Sequence, residues 1–405
     1  MVDKRLHVCM LVTNDMFSDP RVSKHAVTLG HHGFKVTVVC PLSDRTRRAE
    51  VRDGYEILRV RSELLHYGKN LAKRRKKSST TSLGQGVVAT IPHTSLKRTL
   101  ISQASVILLQ LAILRAARKI DANIICANDF DTLLIGVLAT GFDRILIYDS
   151  HELYTDMLLV PPYHKRILQF FEKLLINRAH FIMTVNELIA DVLTKRYSIR
   201  RPVYVVYNCP AQTSVHSPKT RHTNKLKTVL YQGRYTYERG LENLVRASQY
   251  LLPDIQLVFR GYGDIEKELR SLASGRPNIR FEDPVAMEDV VEAARSEDVG
   301  IVSYLPRDLN NYLASPNKLF EYIQAGLPIA ASNVPFMRKI ILENDIGALF
   351  DPRDPQDIAR ALNKVTRTEE LQRLRKNVAK VAENYSWKVE SKKLLQLYSA
   401  LAQSF

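Results

Sequence analysis

A chain of 405 residues with 45% hydrophobic side chains is long enough for two domains, each with its own core, and is not the composition of a disordered or low-complexity protein. Its four cysteines, Cys9, Cys40, Cys126 and Cys209, stand far apart with no zinc-site spacing, which points to buried thiols in a reducing compartment and away from a disulfide framework. The formal charge of +17 is uneven: residues 1–120 hold 22 Lys and Arg against 8 Asp and Glu, an excess of +14, so this part of the chain is expected to face something anionic.

Nucleic acid is not the expected partner, because no nucleic-acid motif or aromatic–basic platform accompanies the charge. An anionic membrane surface or a phosphorylated lipid fits better. Met1 to Arg5 leads straight into a short strand, which is not the pattern of a signal peptide, and no apolar run reaches the roughly 18 residues of a membrane span. The expected location is therefore the cytoplasm, with peripheral attachment to the cytoplasmic face of the membrane.

Leu6 to Thr13 and Val36 to Cys40 read as strands, and Arg21 to Gly33 between them has helical spacing, which makes a β-α-β opening. The loop Asn14 to Arg21 then lies at a strand's carboxyl end, where open α/β sheets bind ligands. Asp19 as a cap for a helix begun by Pro20 explains the same loop. A turn and strand follow over residues 53–62, then the run KRRKK at Lys73 to Lys77 and the Ser/Thr/Gly-rich stretch Ser78 to Gly86, the composition of a solvated loop. Leu96 to Ile120 reads as a helix, either a long core helix or one immersed in a membrane interface.

Strands at Ile124 to Ala127 and Ile145 to Tyr148 end in Asn128-Asp129-Phe130-Asp131 and in Asp149-Ser150-His151-Glu152-Leu153-Tyr154, so acids and a histidine stand at strand ends. Two more strands, Phe181 to Val185 and Val203 to Tyr207, complete a first sheet, and Ala211 to Lys227 has the composition of a linker. A second α/β series opens with the strand Thr228 to Gln232 and the loop Gly233 to Gly240, whose Arg234 and Arg239 suit an anion as well as they suit surface ion pairs. The strand Ile255 to Arg260 runs into the expected tight turn Gly261-Tyr262-Gly263-Asp264, where backbone can approach a ligand.

The densest motif is Ser315 to Asn333, SPNKLFEYIQAGLPIAASN. Ser315 followed by Pro316 reads as a helix start with Ser315 as cap, and Gly326 as its end. Leu319, Phe320 and Ile323 share a core face, while Lys318 and Glu321 share another. A helix N-terminus beside a lysine is a phosphate site, and a carboxylate one turn on can accept both hydroxyls of a ribose. A capped amphipathic helix with a solvated Lys–Glu pair is the plainer alternative. After strands at Ile279 to Phe281, Val299 to Val302 and Ile329 to Ala331, Tyr385-Ser386-Trp387 opens a last helix over Val389 to Leu401.

The motif S-P-N-K-L-F-E-Y with its later G-x-P resembles the donor-site segment of family 4 glycosyltransferases, retaining enzymes of the GT-B fold. D-P-R-V after the first strand, D-S-H-E-L-Y and G-R-x-x-x-x-R-G resemble the same family in the same order. The resemblance implies an α/β protein of two Rossmann-like domains facing across a cleft, with a C-terminal crossover helix. The expected division is 1–210 for the acceptor domain, 211–227 for the linker, 228–385 for the donor domain and 386–405 for the helix packing back on the first domain.

It also implies transfer of a sugar from a nucleotide diphosphate sugar to a hydroxyl of a glycan or lipid-linked acceptor, with retention, in polysaccharide or glycolipid synthesis. By this resemblance Glu321 binds the ribose, and Ser315, Asn317, Lys318, Gly233, Gly261 and Gly263 hold the donor. Arg234 and Arg239 stabilise the leaving diphosphate, and His151 lies near the donor sugar. No cofactor and no metal are expected, since these cations can do the electrostatic work and no Asp-x-Asp motif sits at the donor site. The sequence departs from the family in three places: it lacks the usual glycine loop after the first strand, Arg239 replaces a usual lysine while keeping the charge, and Leu313 stands where a first glutamate is common. A nucleotide-sugar epimerase of the same fold and a non-catalytic membrane-attached subunit are the alternative functions. Oligomeric state is not legible.

Overall fold

The structure is a computed structural model that describes residues 5–17, 19–61, 96–158, 160–211 and 226–402. The KRRKK run, the stretch Ser78 to Gly86 and nearly all of the expected linker Ala211 to Lys227 lie outside the described residues.

Apolar, β-branched runs form the central strands. The first eight strands are β1 (His7–Leu11), β2 (Lys35–Pro41), β3 (Ala49–Arg52), β4 (Tyr55–Val60), β5 (Ile124–Asn128), β6 (Ile145–Ser150), β7 (Phe181–Thr184) and β8 (Val203–Val205). Central strands such as β1 and β5 are buried on both faces, as parallel sheets require, while outer strands such as β3 and β8 are partly exposed. They form one sheet in the order β3-β4-β2-β1-β5-β6-β7-β8. β1 pairs in parallel with β2 and β5, β2 with β4 and β5 with β6, and β3 runs antiparallel against β4. The second sheet holds β9 (Lys227–Tyr235), β10 (Ile255–Gly263), β11 (Ile279–Glu282), β12 (Val299–Val302), β13 (Ile329–Ser332) and β14 (Gly347–Phe350). Its order is β11-β10-β9-β12-β13-β14 and its pairs are parallel.

The helices in chain order are α1 (Pro20–His31), α2 (Leu96–Lys119), α3 (Phe130–Thr140), α4 (Pro162–Ile176), α5 (Glu187–Tyr197), α6 (Leu241–Ala247) and α7 (Glu266–Leu272). They continue with α8 (Val290–Ala294), α9 (Leu309–Tyr312), α10 (Asn317–Ala325), α11 (Pro335–Glu343), α12 (Pro355–Val365), α13 (Thr368–Val381) and α14 (Trp387–Ala402). The chain falls into two compact units, Met1–Asp149 with Leu174–Ile182, and Ser150–Lys173 with Met183–Phe405.

In the second sheet, successive strand residues feed opposite cores because side chains alternate along a strand. Leu230 and Val258 join Leu319, Phe320 and Ile323 of α10 in one core. Val229, Tyr231 and Leu257 join Leu241, Leu244 and Val245 of α6 in the other. Helix α14 packs on the segment after β8. Trp387 donates its backbone N–H to the Pro210 carbonyl at 2.8 Å, and the buried Glu390 carboxylate accepts the Tyr207 N–H at 2.9 Å.

Several local expectations change. Gly233 and Arg234 were expected in a loop and Gly261 to Gly263 in a turn, but β9 and β10 continue through them, in register Gly261 to Gly233 and Gly263 to Tyr235. Glycine makes this close approach possible, since a Cβ at Gly261 would stand 1.9 Å from the Gly233 carbonyl oxygen. Strands β3 and β14 were not anticipated at all. The helix after Ser315 begins one residue later than expected. Pro316, with extended backbone (φ −74°, ψ 136°), is its cap residue and no side chain caps it. A proline at the cap leaves the Ser315 hydroxyl outside the turn, so it does not reach the helix N–H groups.

Candidate active site

The site is built where β9 and β12 end and α10 begins, in the second unit. Gly233, with φ +124°, is in a conformation that favours glycine, and a Cβ there would come within 3.4 Å of the Lys318 Nζ. The lysine side chain from the first turn of α10 thus lies against the backbone of β9. Its ammonium sits over the Tyr231 ring, 3.9 Å from the centroid. One strand away, the Arg239 guanidinium lies over the Tyr304 ring at 3.6 Å. Among the described residues neither cation has a carboxylate at ion-pair distance; the faces of neutral phenols hold them instead.

Burial pushes the Lys318 ammonium well below its ordinary value, Arg239 pushes it further down, and Glu321 opposes both. Two neighbouring basic groups, with Glu321 as the one acid acting on Lys318 and no ion pair to either among the described residues, leave room for further negative charge. Buried polar atoms that lack a hydrogen-bond partner among the described residues gather here, Arg239 Nη1 and Ser315 Oγ together with Gln232 Oε1 and Asn208 Oδ1. Native interiors rarely leave such atoms unmet except where function requires it. Glu321, one turn along α10 from Lys318, accepts from Gln232 Nε2 at 3.1 Å, so the carboxylate is aimed by a side chain of β9. Asn317 Oδ1 accepts from Asn208 Nδ2 at 2.8 Å, which fixes the first residue of α10.

A cavity of about 270 Å³ adjoins these groups, lined among others by His151, Glu152, Arg239, Tyr304, Asn311 and Ser315. His151 follows the end of β6 and so does line the same cavity as Arg239 and Ser315. Arg234 does not: it is exposed on β9, opposite Tyr262 of β10, and is not among the cavity's lining residues. Gly261 and Gly263 serve the strand pairing beside Gly233. Leu313 is buried, and its carbonyl accepts from Asn186 Nδ2 at 2.8 Å, so this position contributes packing and a backbone anchor.

Sequence reasoning missed the aromatic supports Tyr231 and Tyr304, the aiming residue Gln232, and Asn186 and Asn208. An amide or ring that acts on another side chain from a distant strand leaves no mark in local spacing. Among the described residues no cluster of His, Cys, Asp and Glu is arranged to hold a metal ion, and no helix is long and apolar enough to cross a membrane.

Two family models match this chain in succession, Glycosyltransferase Family 4 over residues 22–209 and Glycosyl transferases group 1 over residues 213–384. The chain belongs to the family 4, group 1 glycosyltransferases. A phosphatidyl-myo-inositol mannosyltransferase of Mycobacterium leprae is 30% identical over 184 residues, which cover 44% of this chain and 48% of that protein. The chain therefore matches about half the length of this relative. Among solved structures, sucrose-phosphate synthase of Thermosynechococcus elongatus aligns over 99% of this chain and all of its own, with a TM-score of 0.72 and 17% identity. HepE of Anabaena, in complex with UDP and glucose, aligns over 98% of this chain and all of its own with a TM-score of 0.66 and 15% identity. These likenesses bear out the expected α/β GT-B fold of paired Rossmann-like domains.

Proposed function

We propose that this family member moves a sugar from a nucleoside diphosphate sugar to a hydroxyl of a glycan or lipid-linked acceptor, with retention of anomeric configuration. The observation that carries the reading is the pair Lys318 and Arg239, seated on Tyr231 and Tyr304 with no carboxylate at ion-pair distance among the described residues. A diphosphate brings the missing negative charge, and more of it develops as the glycosidic bond breaks. Preorganised cations aimed at charge that grows in the transition state commonly supply the greater part of an enzyme's rate enhancement. The Ser315 hydroxyl and the N–H groups at the start of α10 add donors to phosphate oxygens. Glu321, aimed by Gln232, is set to accept from the ribose hydroxyls, and His151 stands in the adjoining cavity where the sugar would lie.

On this reading the leaving diphosphate takes the proton of the incoming hydroxyl, and the cations of the chain meet its charge without a metal. The mycobacterial relative is a phosphatidyl-myo-inositol mannosyltransferase and HepE holds UDP and glucose, so a hexose donor and a lipid-linked acceptor are the first pair to try. The four buried free cysteines accord with a cytoplasmic setting.

The test is a thermal-shift screen of uridine, guanosine and thymidine diphosphate sugars, followed by determination of the product's anomeric configuration. A true donor at 100 times its dissociation constant stabilises by about 2.7 kcal/mol. Absence of any shift across the three classes overturns the proposal.

A further inference from the structure

Helix α4 carries its polarity the wrong way round for a helix on a soluble surface. Tyr163, Ile167, Phe170, Phe171 and Leu174 are 68%, 53%, 59%, 51% and 52% exposed. Their spacing puts all five on one stripe of roughly 100°, the width an amphipathic helix normally turns to a core. The single acid of the helix faces inward instead. Glu172 is buried and accepts the Tyr197 hydroxyl at 2.5 Å, and Ile176 beside it on that face is fully buried. Lys165 is tied to the buried Asp156 at 2.6 Å, which fixes the rotation of the helix from a second point. The apolar stripe is therefore held outward by packing and hydrogen bonds.

The basic side chains exposed on the helix are His164, Arg166 and Lys173, and no acid is exposed there. Arg166 and Lys173 share one border of the stripe at helical spacing and His164 stands at the other. A contiguous apolar stripe of this kind marks an interaction surface. Aromatic and aliphatic side chains bordered by cations, with the only acid withdrawn, are complementary to the boundary between acyl chains and anionic headgroups. A second copy of the helix would instead bring like charges together along both borders.

We propose that α4 is a membrane-docking helix that lies in the plane of an anionic bilayer surface, with Phe170 and Phe171 immersed and Arg166 and Lys173 at the headgroups. This proposal makes no use of the basic run at Lys73 to Lys77 and is independent of which sugar the protein moves, so its test uses no donor.

The experiment is co-sedimentation of the full chain with vesicles of phosphatidylcholine alone or mixed with phosphatidylglycerol, at low and high salt. Wild type is expected to pellet with the mixed vesicles and to keep a salt-resistant bound fraction. Phe170→Gln with Phe171→Gln should lower partitioning at least about tenfold and remove the salt-resistant fraction, because each half-exposed ring contributes part of the transfer energy of a buried phenylalanine. Arg166→Gln with Lys173→Gln should remove most of the preference for phosphatidylglycerol and leave the salt-resistant part. Both variants alter exposed positions, so melting temperatures should match wild type and exclude unfolding as the cause. Wild type remaining in the supernatant with both vesicle types overturns the proposal. So does equal pelleting of wild type and the Phe variant. Sedimentation velocity provides a further check: a wild-type dimer that the Phe variant converts to monomer would assign the stripe to self-association instead.

Discussion

Two strand-to-helix junctions in this molecule look alike in sequence and are used differently. After β1, Asp19 accepts the Val22 N–H at 3.0 Å and caps α1, and Arg21 turns inward to grip the buried Asp149 with contacts of 3.0 and 2.7 Å. After β9, no side chain caps α6, Gly240 supplies its N-terminus in the left-handed conformation, and Arg239 lies on Tyr304 with a buried Nη1 that meets no partner among the described residues. In both a proline- or glycine-marked turn delivers an arginine to a strand's carboxyl end. At the first the arginine is satisfied by the protein and holds the fold; at the second a buried nitrogen meets no partner among the described residues, and the proposed function gives it to a ligand. What distinguishes a structural arginine from a binding one is thus whether the protein itself supplies its partners, and that is written across distant strands.

The comparison breaks most visibly at Arg21. Arg21→Ala removes the bidentate partner of a fully buried carboxylate, so unfolding free energy should fall by about 3–5 kcal/mol in denaturant titrations. Arg239→Ala should do the reverse. Turnover is expected to drop by roughly 10²–10³, about 2.7–4 kcal/mol of transition-state stabilisation, while stability changes little because the guanidinium has no buried anion to strand. If Arg239→Ala unfolded the protein and Arg21→Ala only slowed it, the contrast between the junctions would be wrong.

Glu321 sharpens the contrast at the ligand side. Glu321→Ala should weaken binding of a nucleoside diphosphate by about 1.5–3 kcal/mol, the range for hydrogen bonds to a charged group. Glu321→Gln, which keeps one acceptor, should lose less. Equal affinity of wild type and Glu321→Ala in calorimetry would remove the ribose from this carboxylate.

The smallest signal belongs to Lys318. Its folded value lies below the ordinary 10.5, so between the two the unfolded chain holds a proton that the folded chain does not. Stability of the ligand-free protein should therefore rise as pH rises through the depressed value and level off above 10.5. Lys318→Met should flatten that slope. Diphosphate binding draws the lysine back toward its charged form, and calorimetry in buffers of different ionisation enthalpy should record net proton uptake. No uptake in wild type, or the same uptake in Lys318→Met, would place the titration elsewhere.

Much of the fold was legible because parallel strands and the helices between them write their periods locally. The faces of α10, with Leu319, Phe320 and Ile323 inward, follow directly from spacing. Element ends were less legible. β9 and β10 extend through glycines that normally stop a strand, because two glycines opposite one another let the backbones meet at Gly233 and Gly261. Strand β14 is short, and its burial depends on β13 beside it. At the candidate site, the nearness of Lys318 and Glu321 to a helix start and of Arg239 to a strand end was readable from local spacing, whereas Ser315 does not cap the helix as expected. Tyr231 and Tyr304 were not, because an aromatic in an apolar strand looks like core until the cation above it is seen. The place of Arg234 was not legible from its spacing to Arg239: the continued strand leaves it exposed and outside the lining of the Arg239 cavity.

The central claim is that the groups left unsatisfied after β9 and before α10 receive the diphosphate. The most direct measurement is calorimetric titration of wild type and Arg239→Ala with a nucleoside diphosphate and, separately, with the corresponding nucleoside. The account predicts that Arg239→Ala loses most of its affinity for the diphosphate and keeps that for the nucleoside. Equal loss for both ligands, or none for either, would contradict it.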